Sequence, residues 1–220
     1  MRYRTPLNTR AAFIRGSTRF AAPPLVPEIT LLLARDVFEL WEKTEQNASH
    51  AELPPPFWAF PWAGGQALAR YLLDHPEYAA GRTVLDLAAG SGLVAIAAAK
   101  AGAAAVTASE TDPLALTAIE LNCAANGVTL QATVGDVLDG NASGTDLVLA
   151  GDAFYERPMA ERLLPYLERA RASGAVVLVG DPGRAYLPRD RFEAVASYDV
   201  PVSQVMEDTD MKRTTVWHLR

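Results

Sequence analysis

From residue 83 onward, short apolar runs alternate with longer segments whose apolar positions recur at helical spacing. TVLDLA, AAVTAS, LQATVG, TDLVLAG and AVVLVGD are too short and too evenly apolar for surface helices, and predict strands buried on both faces. Between them LVAIAAAKAG, PLALTAIELNCAANG and ERPMAERLLPYLERARA predict helices. PRDRFEAVAS predicts one more helix, before two late strands near YDVPVS and RTTVWHLR. This alternation predicts an α/β fold, a parallel sheet with helices on both faces. Right-handed crossovers then bring the strands' C-terminal ends to one rim, where ligands of such sheets bind.

The front of the chain reads differently. Proline clusters AAPPLVP (21–27) and LPPPFWAFPW (53–62) bracket EITLLLARDVFELWEKTEQ, whose Ile29, Leu32, Leu33, Val37, Leu40 and Trp41 fall close to a helical stripe and predict one helix. A second, from about Gly64 to Leu73, carries Leu68, Tyr71 and Leu72 on one side. Residues 1–80 are therefore expected to form an N-terminal arm and helical extension packed on a core of residues 81–220.

Composition narrows the function classes. A 220-residue chain, half apolar and 21% charged, can bury a sizeable core. Its net charge of -6 disfavours nucleic acid as a partner, and small molecules or basic protein segments fit better. The single cysteine, Cys123, excludes an internal disulfide, and the scattered His50, His75 and His218 give no metal-ligand spacing, so no metal is expected. No apolar stretch approaches the roughly 20 residues that span a bilayer. The first 19 residues hold five arginines and no acid. They read as a basic arm or, alternatively, as an organelle transit segment.

The candidate chemistry lies at the strand ends. The first core strand runs VLDLAAGSGLVAIAAA, with Asp86, Gly90 and Gly92 ahead of a helix. Glycines there let the backbone approach a ligand, and the helix start offers unpaired N–H groups. A nicotinamide dinucleotide is disfavoured, since no third glycine completes GxGxxG. The second strand ends ASETDP, where Glu110 could take both hydroxyls of a ribose and Asp112 could cap the next helix. The third ends VGDVL at Asp136. The fourth, LVLAG, runs into Asp152 and Tyr155. These two also fit a structural reading, as a helix cap and a packing aromatic.

The Asp86 to Gly92 segment resembles motif I of the seven-strand S-adenosylmethionine (SAM)-dependent methyltransferases, with Ala88 where many members carry glycine. That resemblance implies a Rossmann-like sheet and a cofactor site made by Asp86, Gly90, Gly92, Glu110 and Asp136, with Asp152 and Tyr155 beside the transferred methyl. The DAFY order lacks the two prolines of enzymes acting on amides or bases and resembles the protein lysine methyltransferases. PEITLLLARDVFELW, PPFWAFPWAGGQALARYLLDHP, LNCAAN, LAGDAFYE, VGDPGR and TTVW together resemble the lysine methyltransferases of the electron transfer flavoprotein β subunit and their bacterial relatives, over nearly the whole chain from Phe13. The resemblance implies Trp62 as a cover on the cofactor, although core packing would also explain it. The flavoprotein subunit is the implied partner, a ribosomal protein or other amine the alternative. A bacterial cytoplasm is the expected location, mitochondria for eukaryotic members. Asp181 and Arg184 in GDPGR lie at the fifth strand's end and either shape the substrate entrance or only make a turn.

Overall fold

The computed structural model describes residues 7–47, 54–207 and 209–220. Helix α1 (Leu7–Ser17) leads into β1 (Thr18–Ala21), which pairs antiparallel with β2 (Leu31–Ala34). Helices α2 (Val37–Asn47) and α3 (Ala63–Asp74) follow. The single helix expected across residues 28–46 is thus a strand followed by a shorter helix. Local periodicity permits either form, and tertiary partners decide it. The Leu32 N–H donates to Asn122 Oδ1 and the Thr30 N–H to Asn126 Oδ1, while Asp36 accepts from the Glu39 N–H and starts α2. The expected second helix matches α3.

The core continues through β3 (Thr83–Leu87), α4 (Leu93–Lys100), β4 (Ala105–Glu110), α5 (Pro113–Asn126), β5 (Gln131–Val134), β6 (Leu147–Gly151), α6 (Arg157–Ala172) and β7 (Val176–Asp181). It closes with β8 (Phe192–Pro201), the short α7 (Gln204–Glu207) and β9 (Met211–Leu219). Seven strands form one sheet in the order β5-β4-β3-β6-β7-β9-β8. The first five of that order are mutually parallel, and β9 is antiparallel to both β7 and β8. PRDRFEAVAS, expected as a helix, is a 3₁₀ turn at Arg189–Arg191 running into β8. Its helix-forming Glu and Ala are overridden by pairing along β9, and its exposed positions suit an edge strand.

Both faces of the central strands β3, β6 and β7 are buried, as their continuous apolar runs require. Val84, Leu147, Leu149 and Leu178 point into a cluster with α3 and α4. Their neighbours Leu85, Val148, Ala150, Val177 and Val179 point into a cluster with α6. A third cluster joins Ile14 of α1, Leu32, Leu40 and Trp58 to Leu114 and Ala118 of α5. The N-terminal segments therefore lie against α5, beside the rim where β3, β4 and β6 end.

Candidate functional site

The rim begins with a strained loop. Ala88, Gly90 and Gly92 have φ of 50°, 52° and 79°, so three residues after β3 take left-handed backbone. Ala88 does so against its Cβ, a cost of about 1 to 2 kcal/mol that glycine would avoid. The loop is braced from both sides. Ser91 O accepts from the Asn122 side chain at 2.8 Å, and the Gly90 N–H donates to Glu110 Oε2 at 2.9 Å. Glu110 also accepts from the Thr111 and Asp112 N–H groups. Asp86 is buried under the loop, where it accepts from the Ala95 N–H at 3.0 Å in the first turn of α4. Burial, aided by nearby Glu110, pushes its carboxyl up to about 8 despite that hydrogen bond. Asp112 caps α5 through the Leu114 N–H.

Asp152 sits one residue past β6, itself at φ 54°. Its carboxylate is tightly held. Oδ2 accepts from the Gly65 N–H at 3.0 Å, and Oδ1 accepts from Arg184 Nη2 at 2.8 Å and Nε at 3.2 Å. Burial lifts Asp152 to about 6, with Arg184 and the Gly65 N–H pulling the other way. Arg184 also donates to Glu207, 2.7 Å from Nη2 to Oε1, and Lys212 donates to the same carboxylate. Burial would raise Glu207, yet Arg184 and Lys212 hold it below its ordinary value. The guanidinium lies 5.7 Å from the centre of the Trp62 ring, within cation–π range. Two acids and two bases thus form one chain with no net charge.

Four glycines permit this arrangement. A Cβ on Gly64 would lie 2.1 Å from Gly180 O and 2.6 Å from Asp152 Oδ2, and one on Gly151 would lie 2.9 Å from Gly65 Cα. The N-terminus of α3 therefore rests directly on the ends of β6 and β7, aiming the Gly65 N–H at Asp152. GDPGR makes its turn through Asp181, whose Oδ1 accepts from the N–H groups of Gly183 and Arg184, and that turn delivers the Arg184 side chain.

Trp62, Asp86, Gly90 and Asp152 line one cleft together with Phe60, Gly65, Ala88 and Ser91. Glu110 meets it through Gly90, and Gly92 turns the loop into α4 against Ile119. Tyr155 does not line the cleft: it is 45% exposed, with its ring edge-on to Phe57 at 5.7 Å. Phe57 packs in the same way on Trp62, whose indole N–H donates to Phe57 O. Asp136 also stands apart, held by the Leu138 N–H and by Arg162 of α6 at 2.5 Å. Sequence reasoning missed Arg184, Glu207, Lys212 and the Gly64–Gly180 contact as partners of Asp152. The proximity of Asp181 and Arg184 to the fifth strand's end was the only signal for them. Among the described residues no group of His, Cys, Asp and Glu could hold a metal ion.

Known proteins resemble the chain in architecture and in sequence. The crystal structure of magnesium protoporphyrin IX methyltransferase from Synechocystis, with SAM bound, superposes with a TM-score of 0.52 at 14% identity, over 71% of this chain and 78% of that one. It shows the fold. Residues 67–151 match the family model of ribosomal protein L11 methyltransferase. The electron transfer flavoprotein β-subunit lysine methyltransferase of Danio rerio is 39% identical over 199 residues, 88% of this chain and 76% of that protein. The Xenopus laevis protein of the same name is 36% identical over 220 residues, 97% and 88% of the two chains. With identity at this level over most of both partners, the chain belongs to the electron transfer flavoprotein β-subunit lysine methyltransferase family.

Proposed function

We propose that this SAM-dependent methyltransferase methylates lysine ε-amines of the electron transfer flavoprotein β subunit. The observation that carries the reading is similarity along nearly the whole chain, N-terminal elements included, to enzymes named for that substrate. The ribosomal protein L11 match covers only 67–151, the segment that holds the glycine loop and Glu110, and therefore bears less on the substrate.

The chain's own residues fit the cofactor. SAM, when bound, supplies a methyl on a positively charged sulfur. The left-handed loop at Ala88–Gly92 offers backbone without bulk, Glu110 stands where a carboxylate can take ribose hydroxyls, and Trp62 offers an aromatic wall beside them. Asp86, already bonded to α4, steadies the loop and adds a buried polar group below it. The role of Asp136 at the adenine rests on its place after β5 and is the most peripheral of these assignments.

A lysine ammonium has no lone pair and must lose a proton before it can attack. Asp152 by itself would favour the charged ammonium, but Arg184 balances its charge, so the amine meets a nearly neutral pair. The carboxylate already accepts three hydrogen bonds of about four it can take, which leaves one to orient an amine N–H. The proton leaves to water, helped by desolvation in the cleft. Tyr155, packed edge-on to Phe57 at the mouth, forms a wall of the amine's approach.

Incubation with methyl-labelled SAM and recombinant flavoprotein β subunit, followed by mass spectrometry, tests the assignment. Methyl groups on lysines of that subunit are expected. No label there, with label instead on a ribosomal protein when a cell extract is incubated in parallel, would overturn it.

A further inference from the structure

Beside the cleft, α2 and α7 leave an open apolar groove of about 580 Å³. Phe38 and Trp41 form one wall, Val205 and Met206 the other, and Glu42 and Glu45 lie along its edge. Phe38 is 73% exposed and Val205 53%, large apolar side chains from two elements turned toward one space. Contiguous exposed apolar surface rimmed by polar groups commonly marks an interaction site.

We infer that this groove docks the segment of the protein substrate that flanks the target lysine, by an apolar anchor with basic neighbours. The inference rests on the protein-lysine reading above and adds where such a substrate is held. Charge supports the occupant. Helix α2 carries Glu39, Glu42 and Glu45 against the single Lys43, on a chain of net charge -6, so a lysine-bearing segment meets an attractive field. A second copy of this chain would bring the same acids against one another.

Continuity with the site is the other support. Trp41 packs edge-on to Phe57 at 6.1 Å, and Phe57 packs on both Trp62 and Tyr155 at 5.7 Å. On the opposite wall Met206 adjoins Glu207, which holds Arg184, which holds Asp152. Each wall therefore ends at the residues beside which the amine must lie. A segment seated there presents a neighbouring lysine to Asp152 without unfolding.

The test uses the full chain with SAM and the flavoprotein β subunit. Phe38→Ser combined with Val205→Ser changes two exposed side chains and should raise KM for the protein substrate about tenfold or more, a loss typical of an anchoring contact. The loss should fall on KM rather than kcat, and SAM affinity by calorimetry should stay within about twofold. Glu45→Lys, a change in charge alone, should raise KM less, in a way that added salt erases. Unchanged KM in both variants, with the wild-type chain turning over, would overturn the groove. So would wild-type self-association by sedimentation that the double variant abolishes, since the occupant would then be a second copy. Failure of the wild-type chain to label the flavoprotein subunit at all would instead overturn the substrate reading.

Discussion

Replacing Arg184 with methionine keeps an apolar stem and removes the guanidinium between two buried acids. Arg184 is 19% exposed, and the side chains of Asp152 and Glu207 are 9% and 5% exposed, so water cannot readily take its place. Asp152 already stands at about 6 against its ordinary 3.8, because burial outweighs Arg184. A raised acid weakens the fold where it must be ionised. That penalty is absent below about pH 4 and complete above about pH 6, where it amounts to about 3 kcal/mol. Loss of Arg184 raises Asp152 further and extends the penalty to higher pH. Glu207 acts with the opposite sign. Its lowered value stabilises the fold above its ordinary range, and this contribution fades as pH falls and the carboxyl is protonated, so losing one of its two partners also hurts most at high pH. Removing one member of a buried ion pair costs about 3 to 5 kcal/mol. Arg184→Met should therefore destabilise by that amount at pH 8 and by at least about 1.4 kcal/mol less at pH 5, the equivalent of one pKa unit. Urea unfolding of both chains at several pH values measures the difference, and the remaining titrations cancel between them. A penalty equal at pH 8 and pH 5 to within about 0.5 kcal/mol would refute the reasoning.

Three further changes probe separate parts of the rim. Asp152→Asn keeps a residue that tolerates left-handed backbone, and should retain SAM binding by calorimetry while lowering methyl transfer about 100-fold or more; wild-type turnover would remove Asp152 from the chemistry. Gly64→Ala drives a methyl into Gly180 O and should cost about 3 kcal/mol or more in urea unfolding, because backbone rather than a flexible side chain stands in the way. Ala88→Gly relieves the φ of 50° and should add about 1 kcal/mol net, read as a melting temperature higher by about 2 to 4 °C. An unchanged or lower melting temperature would mean that the loop carries no strain at that position.

What could be read from the sequence divides along contact range. The rim positions of Asp86, Gly90, Gly92, Glu110 and Asp152 were legible because each belongs to a local strand-turn pattern, and parallel topology alone sends every strand's end to one rim. The sheet itself was legible from apolar runs that need burial on both faces. Elements whose form depends on distant partners were not. Residues 31–34 carry leucines that suit a helix or a strand, and the amides of Asn122 and Asn126, about 90 positions away, select the strand. Residues 192–197 look helical by composition and become part of an edge strand because β9 offers a free partner.

The same distinction governs the site's electrostatics. Read alone, Asp152 is a carboxylate at a strand end, and its natural use is to attract an ammonium. In the fold it is one member of a chain from Lys212 through Glu207 and Arg184, assembled from residues 32, 23 and 5 positions apart. Such a chain changes what the carboxylate can do. A lone buried anion would hold the lysine charged and unreactive, whereas an anion balanced by Arg184 offers a hydrogen bond without that electrostatic pull. The glycine contact between α3 and β7 belongs to the same design, since only with Gly64 against Gly180 can the Gly65 N–H reach the second carboxylate oxygen. Positioning of the acid and control of its charge thus come from GG at 64–65 and GDPGR at 180–184, two short motifs whose meaning depends on their meeting at Asp152.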